Sequence, residues 1–256
     1  MPEIIWSGNE SIDSRDEEPR TLIESAYQQL RQDIVSGTYE PGEKLRVEHL
    51  KDRYEVGAGT LREALSRLAA DTLVVAQGQR GFSVAPLSLA DFEDITRTRV
   101  MLECEALRLS MTHGDDAWEG QVMSAFHRLS RAEEKLGKLP SLDAVKEWEE
   151  RNRAFHKSLL AACPSGWTLH FLSLLYQQSE RYRRYVLQHP PIPRDVHDEH
   201  EAIMKATVAR DIKRAVQLIT GHIELTLDAV RAAELAHGVG AKLLLDGCQA
   251  VPRMPL

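Results

Sequence analysis

The chain has 256 residues, 43% of them hydrophobic and 28% charged, with a net charge of −7 at neutral pH. That length supports about two domains at roughly 150 residues each, and the hydrophobic share is enough to give each a core. No apolar run approaches the ~18 residues that would cross a bilayer. The N-terminus lacks a basic-then-apolar leader. Cys104, Cys163 and Cys248 are too few and too scattered for a disulfide framework or a zinc ribbon. A cytoplasmic protein with free thiols is expected, without contact with a membrane.

Residues 1–20 are acidic and irregular and read as a disordered tail. A first helix is expected over Leu22–Ser36, with Leu22, Ala26, Leu30 and Ile34 inward, Gly37 at its end and a Pro41-Gly42 turn after it. A second helix is expected over Leu45–Tyr54, entered near Arg46, and then a Gly57-Ala58-Gly59 corner. Leu61, Ala64, Leu65, Leu68 and Ala69 keep helical spacing, so the third helix buries one face and leaves Thr60, Arg62, Glu63, Ser66 and Arg67 on the other. Two β-type runs, Leu73–Ala76 and Phe82–Ala85, flank Gly78-Gln79-Arg80-Gly81, a turn that places an arginine at a hairpin tip. Helix, turn, helix and hairpin make a winged helix-turn-helix, whose second helix enters a DNA major groove and whose wing reaches the neighbouring backbone. The negative net charge does not oppose this. Much of the acid sits in the tail, and binding depends on where the positive charge is. Arg46, Thr60, Arg62, Arg67, Gln79, Arg80 and Gly81 are the expected DNA-facing set, with Glu63 orienting an arginine. So few cations per chain imply action as a dimer.

Ser88 caps the next helix. From there the pattern is helical to about residue 233, in six segments: Leu89–Thr112, Asp115–Lys135, Leu142–Ala162, Thr168–Gln188, Asp195–Ala209 and Asp211–Ala233. Breakers at Gly114, Pro140, Pro164 to Gly166 and Pro190 to Pro193 make this an antiparallel helical bundle. The fold class is mainly α: a tail over 1–20, a winged helix-turn-helix over 21–86, a helical domain over 88–233 and a loose tail over 234–256.

These residues resemble the GntR family of bacterial transcription regulators, through SGTYEPGEKL, HLKDRYEV, LREALSRL, LV and GQRGFSVA in that order over Leu22–Pro86. Leu89–Ala233 looks like the FCD ligand-sensing domain of the FadR-type subgroup. RYEVGAGTLREALSRL and APLSLADFEDI are similar to the CsiR/GlaR-like repressors of glutarate catabolism. Relatives carrying Ser-Arg-Thr-Pro at the start of the reading helix touch a guanine with that arginine. Here Gly57, Ala58, Gly59 and Thr60 stand instead, so the resemblance does not extend to the operator sequence.

Inside the bundle, Phe92, Ile95, Arg99, Leu102, Ala106 and Leu109 share a stripe, which puts a guanidinium on an apolar face. It needs an anionic partner: Glu103 one turn along, or a carboxylate ligand gripped in two parallel hydrogen bonds. Val145, Trp148, Asn152, Phe155 and Leu159 put Asn152 inward, with His156 one turn later. Val196, His200, Ile203 and Thr207 put His200 inward, and Ala215, Leu218, His222, Leu225 and Ala229 do so for His222. Each histidine by itself is most simply a hydrogen-bonded core residue. Three converging with an amide make a site for a divalent metal such as Zn or Ni. The family resemblance implies the same: metal-dependent members place an acid and three histidines at these positions, the acid here being Asn152, and the position of Arg99 lines the effector pocket. Ser179 and Tyr182 continue the Leu172, Leu175 stripe and are candidate effector donors, while Trp118, Trp148 and Trp167 read as core.

The function expected is a DNA-binding transcription regulator, a repressor, acting as a homodimer on a double-stranded operator. A small carboxylate, a dicarboxylate such as glutarate by resemblance, would control it. The alternatives are a metal-dependent hydrolase-like enzyme in the bundle, against which the sequence offers no partnered nucleophile or general base, and a helical scaffold. Glu199 and Glu201 flank His200 but are expected to turn away from the inner face.

Overall fold

The computed structural model describes residues 21–139, 141–187 and 196–238. The two expected tails, 1–20 and most of 234–256, lie outside them, and so does Cys248. The elements in order are α1 (Leu22–Val35), β1 (Lys44–Leu45), α2 (Val47–Tyr54), α3 (Ala58–Ala70), β2 (Val74–Ala76), a 3-10 turn (Gly78–Arg80), β3 (Phe82–Val84), α4 (Leu89–His113), α5 (Asp116–Lys138), α6 (Leu142–Leu159), α7 (Gly166–Leu187), α8 (Val196–Val208) and α9 (Ile212–Gly238). None of the described helices is long and apolar enough to cross a membrane.

Among the described residues the chain forms two compact units, one of residues 21–95 with 173–187, the other of 96–172 with 196–238. In the first, Leu30, Leu61, Leu65, Leu68 and Leu73 are fully buried around the α1–α3 packing. The wing is a three-stranded sheet in the order β1-β3-β2, both pairs antiparallel. The sequence reading placed Leu45 at the start of the second helix. It is instead a strand residue opposite Phe82, and α2 begins two residues later with Arg46 as its N-cap. The corner between α2 and α3 also moves. Ala58 and Gly59 are already helical, and the left-handed position is taken by Glu55 at φ 53°. Gly78 and Gly81, at φ 55° and 89°, close the hairpin tip at positive φ values that favour glycine, which has no Cβ to clash there.

A polar latch sets α2 against α1. The Tyr54 hydroxyl donates to Asp33 at 2.6 Å, so the Tyr39 hydroxyl, 3.0 Å away, donates to Tyr54. Burial, with the Asp33 carboxylate second, pushes the Tyr54 phenol far above its ordinary range. Tyr54→Phe removes one bond to a charged group and orphans the Tyr39 hydroxyl. It is expected to lower stability by about 1.5–3 kcal/mol in equilibrium urea unfolding, and an unchanged midpoint would show that water replaces the latch.

The C-terminal half of α7 belongs to this first unit because of its side chains. Tyr182 stacks on Phe92 at 4.3 Å, Gln178 donates to the Asp71 carbonyl, and Arg181 donates to the Ala85 carbonyl. In the second unit, α5 and α6 form a hairpin, α8 packs on both α5 and α9, and Leu107, Val122, Leu129, Phe155, Leu159, Ile203, Ala215 and Ile219 are fully buried. Asp115 and Ser141 cap α5 and α6 by accepting from the backbone amides of Trp118 and Ala144. Trp118 and Trp148 are core, as expected. Trp167 is 63% exposed, because it falls in the first turn of α7, before that helix's apolar face begins.

Candidate functional site

The helical unit draws three histidines to one point from three helices. The nearest ring nitrogens of His156 (α6), His200 (α8) and His222 (α9) all lie within 4.8 Å of one another. All three are buried, His200 completely. Each has a glutamate on its Nδ1: Glu103 for His156 at 3.3 Å, Glu133 for His200 at 2.7 Å and Glu199 for His222 at 2.8 Å. A carboxylate only accepts, so each Nδ1 carries the proton it donates, which in a neutral ring leaves the Nε2 lone pair free. Such carboxylate–imidazole pairs are what orients histidine toward a metal.

Two buried atoms support the same reading. The Nε2 of His200 and the Oδ1 of Asn152, one turn before His156, have no hydrogen-bond partner among the described residues. Buried polar atoms left so are rare and costly in native proteins. Three imidazole nitrogens, with a buried amide oxygen one turn from His156, are a donor set of the kind that suits a borderline divalent ion such as Zn or Ni.

Glu103 does more than hold one histidine. Its Oε2 accepts from the Arg99 Nη2 at 2.9 Å while its Oε1 faces His156, so Arg99, Glu103 and His156 form one buried chain. Burial by itself would raise the Glu103 carboxyl; Arg99 and His156 outweigh it and hold it at about 2. Burial lowers His156 to about 4 against the opposing pull of Glu103, so the ring is neutral at physiological pH, as a metal ligand must be. The either-or choice for Arg99 between Glu103 and an exogenous anion thus starts from an occupied state.

Two expectations are corrected here. Glu199 was expected to point away from the inner face. It lies one residue before His200 on the side of α8 facing α9, and there it meets His222. Leu225 was placed on the inner stripe of α9. It is 46% exposed; Ala215, His222 and Ala229 of that stripe are buried, and the buried face extends to Ile219, Ile223, Leu227 and Val230. Glu133 had escaped the sequence reading altogether. Its second oxygen accepts from His197, a histidine expected off the cluster. Ser179 and Tyr182, the candidate effector donors, fall in the other unit from Arg99, and both hydroxyls are engaged: Ser179 donates to the Leu175 carbonyl, and Tyr182 donates to Asp91 and accepts from the Ser88 amide. Burial, ahead of the Asp91 bond, pushes the Tyr182 phenol up to about 12.

On the winged unit, Arg62 projects from the exposed face of α3 with no ion-pair partner among the described residues, and Thr60 is half-buried at the start of that helix. Arg67 is engaged on the same face by Glu63 at 2.9 Å and by Glu24 at 3.5 Å. Arg46 is exposed at the start of α2. Arg80 is exposed at the hairpin tip beside Gly81; the Gln79 side chain lies outside the described ones.

The sequence model of the bacterial regulatory proteins of the gntR family matches residues 22–84, and that of the FCD domain matches residues 94–225. The chain is 49% identical over 212 residues to the uncharacterized HTH-type transcriptional regulator BphR of Paraburkholderia xenovorans (strain LB400), covering 83% of this chain and 86% of that one. It is 35% identical over 211 residues to the HTH-type transcriptional repressor GlaR of Escherichia coli (strain K12), covering 81% and 94%. Among solved structures, E. coli McbR/YncC superposes with a TM-score of 0.68 at 16% identity over 84% of this chain and 99% of that chain, a likeness of fold. These relatives are regulators rather than enzymes. With a winged helix-turn-helix ahead of an FCD domain, the chain belongs to the GntR family and is a DNA-binding transcription regulator.

Proposed function

We propose that this protein is a repressor whose hold on its operator is set by a small carboxylate bound in the helical unit. The observation that carries the reading is the inward set of His156, His200 and His222, with buried Asn152 one turn before His156 and Arg99 one residue removed through Glu103. Divalent metal on the three Nε2 atoms would supply a Lewis-acidic point for one carboxylate oxygen, and Arg99 is the cation at the end of the His156–Glu103 chain of contacts. A dicarboxylate, glutarate first by resemblance, suits two cationic anchors. The protein acts as a homodimer, two α3 helices entering successive major grooves of a near-palindromic site. Arg62 reads a base edge, Thr60 and Arg67 position the helix, Arg46 holds phosphate, and Gln79, Arg80 and Gly81 form the wing contact. Effector binding changes operator affinity only to the extent that the two DNA-binding states hold the effector unequally. The repressor sign rests on the printed name of the GlaR relative.

The test is fluorescence anisotropy of the purified protein on duplexes from its own chromosomal neighbourhood, titrated with dicarboxylates with and without chelator. Release of DNA by one acid, abolished by chelation, is expected. Failure to retain any fragment at low ionic strength would overturn the reading. Arg62→Ala is expected to weaken operator binding by about 1–3 kcal/mol and to relax discrimination at one base pair; a uniform loss across all sequences would make Arg62 a phosphate contact instead.

A further inference from the structure

Imidazole and amide ligands are all neutral. A divalent cation held only by His156, His200, His222 and Asn152 would therefore keep its whole charge inside a protein core, where unpaired charge is heavily penalised. The three histidines are backed by three separate glutamates from three helices, Glu103 on α4, Glu133 on α5 and Glu199 on α8. Arg99 pairs with one of these carboxylates, while Glu133 and Glu199 each place a carboxylate one bond behind a histidine of the set.

We propose that Glu103, Glu133 and Glu199 are the counter-charge of the metal centre, carrying one bond further out the charge that Asn152 does not supply as a ligand. This rests on the metal reading above and adds to it a role for the glutamates beyond orientation. An orienting partner needs only an acceptor on Nδ1, which a glutamine supplies equally well; a counter-charge needs the carboxylate. The two roles therefore separate on an isosteric change. Glu103 is unsuited to the test because its loss takes a buried ion-pair partner from Arg99. Glu199, with its side chain 22% exposed, meets His222, and Glu133, at 11%, meets His197 and His200, so these two carry the test.

The experiment uses the full chain, stripped of metal, and measures zinc affinity by competition with a chromophoric chelator. Apo-protein melting serves as the check on folding. Glu199→Gln and Glu133→Gln are each expected to weaken zinc binding about 10–100-fold while the apo protein melts cooperatively. Adding Asn152→Asp to Glu199→Gln is expected to recover most of that loss, since it restores a negative charge at the metal while the Nδ1 acceptor stays a glutamine. Equal affinities for the wild type and both glutamine variants would overturn the assignment and leave the metal reading standing. So would an Asn152→Asp change that recovers nothing, because the loss would then come from a disturbed ring contact and not from missing charge. A wild-type chain that takes up no zinc would overturn the metal reading itself, and this assignment with it.

Discussion

Arg99→Ala is expected to lower the unfolding free energy by about 3–5 kcal/mol, the cost of removing one partner from a buried ion pair. Glu103 is fully buried and Arg99 only 5% exposed, so water cannot take over the lost contact. The remaining partner of Glu103 would be His156 at 3.3 Å, whose own burial favours the neutral ring. Without the guanidinium, desolvation dominates and the carboxyl moves up toward protonation. The sign of the acid dependence follows. In the wild type the folded Glu103 value, about 2, lies below the ordinary carboxyl value of 4.5, so its contribution is full above pH 4.5 and is lost as pH falls toward 2. The variant should lose that acid-labile component together with the stability. Glu103→Gln should be costly too, by taking a buried ion-pair partner from Arg99. The double variant should cost less than the two losses added, with a coupling of roughly 0.5–3 kcal/mol. Equilibrium urea unfolding at pH 7 decides the matter, and a loss below about 1 kcal/mol would mean that the pair is solvated. A test of effector response is better made with Arg99→Lys, which keeps a charge beside Glu103 but cannot offer a bidentate fork to a carboxylate.

The same pair shows where sequence reasoning reaches and where it stops. Arg99 and Glu103 are four apart on one helix, so their pairing was visible as a possibility in the helical repeat. Asn152, His156, His200 and His222 were placed inward by the same periodicity, and the structure buries all four. What spacing cannot give is the neighbouring helix. Glu133 and His200 are 67 positions apart, and Glu199 meets His222 across the α8–α9 contact; neither pairing leaves a trace in either helix alone. The α9 stripe drifted for a related reason. Leu218, His222, Leu225 and Ala229 fit the three-and-four pattern, but so does a face one position round, through Ile219, Ile223 and Val230, and apolar residues on both sides leave the pattern undecided. β1 was missed because a two-residue strand carries no period. Only its register with Phe82 and Ser83, nearly forty positions on, makes Lys44–Leu45 a strand. The reading helix was the most legible element: Leu61, Ala64, Leu65 and Leu68 are all fully buried at the spacing the sequence shows.

His156→Ala combined with His200→Ala is expected to abolish metal uptake, read as metal per chain by elemental analysis after zinc loading and desalting. Two of the three nitrogens disappear, and Asn152 with His222 cannot hold a divalent ion against solvent as four donors would. The consequences for the apo protein are the more discriminating part. His200 is fully buried with an orphaned Nε2, so its removal relieves an unsatisfied polar atom while opening a cavity; it also takes one partner from Glu133, which keeps His197. His156→Ala leaves Glu103 still paired with Arg99. Neither change strands a charge, so the metal-free variant should stay folded and keep its operator affinity. What it should lose is the stabilisation that metal gives the wild type, about 2.7 kcal/mol at a hundredfold excess over Kd, since metal binds the folded site and not the unfolded chain. Thermal melts with and without zinc should therefore separate for the wild type and coincide for the variant. Equal metal content in the two proteins would show that the three imidazoles form a dry polar core, held by Glu103, Glu133 and Glu199 for folding alone. An effector response that survives in the metal-free variant would place the carboxylate on Arg99 without help from a metal.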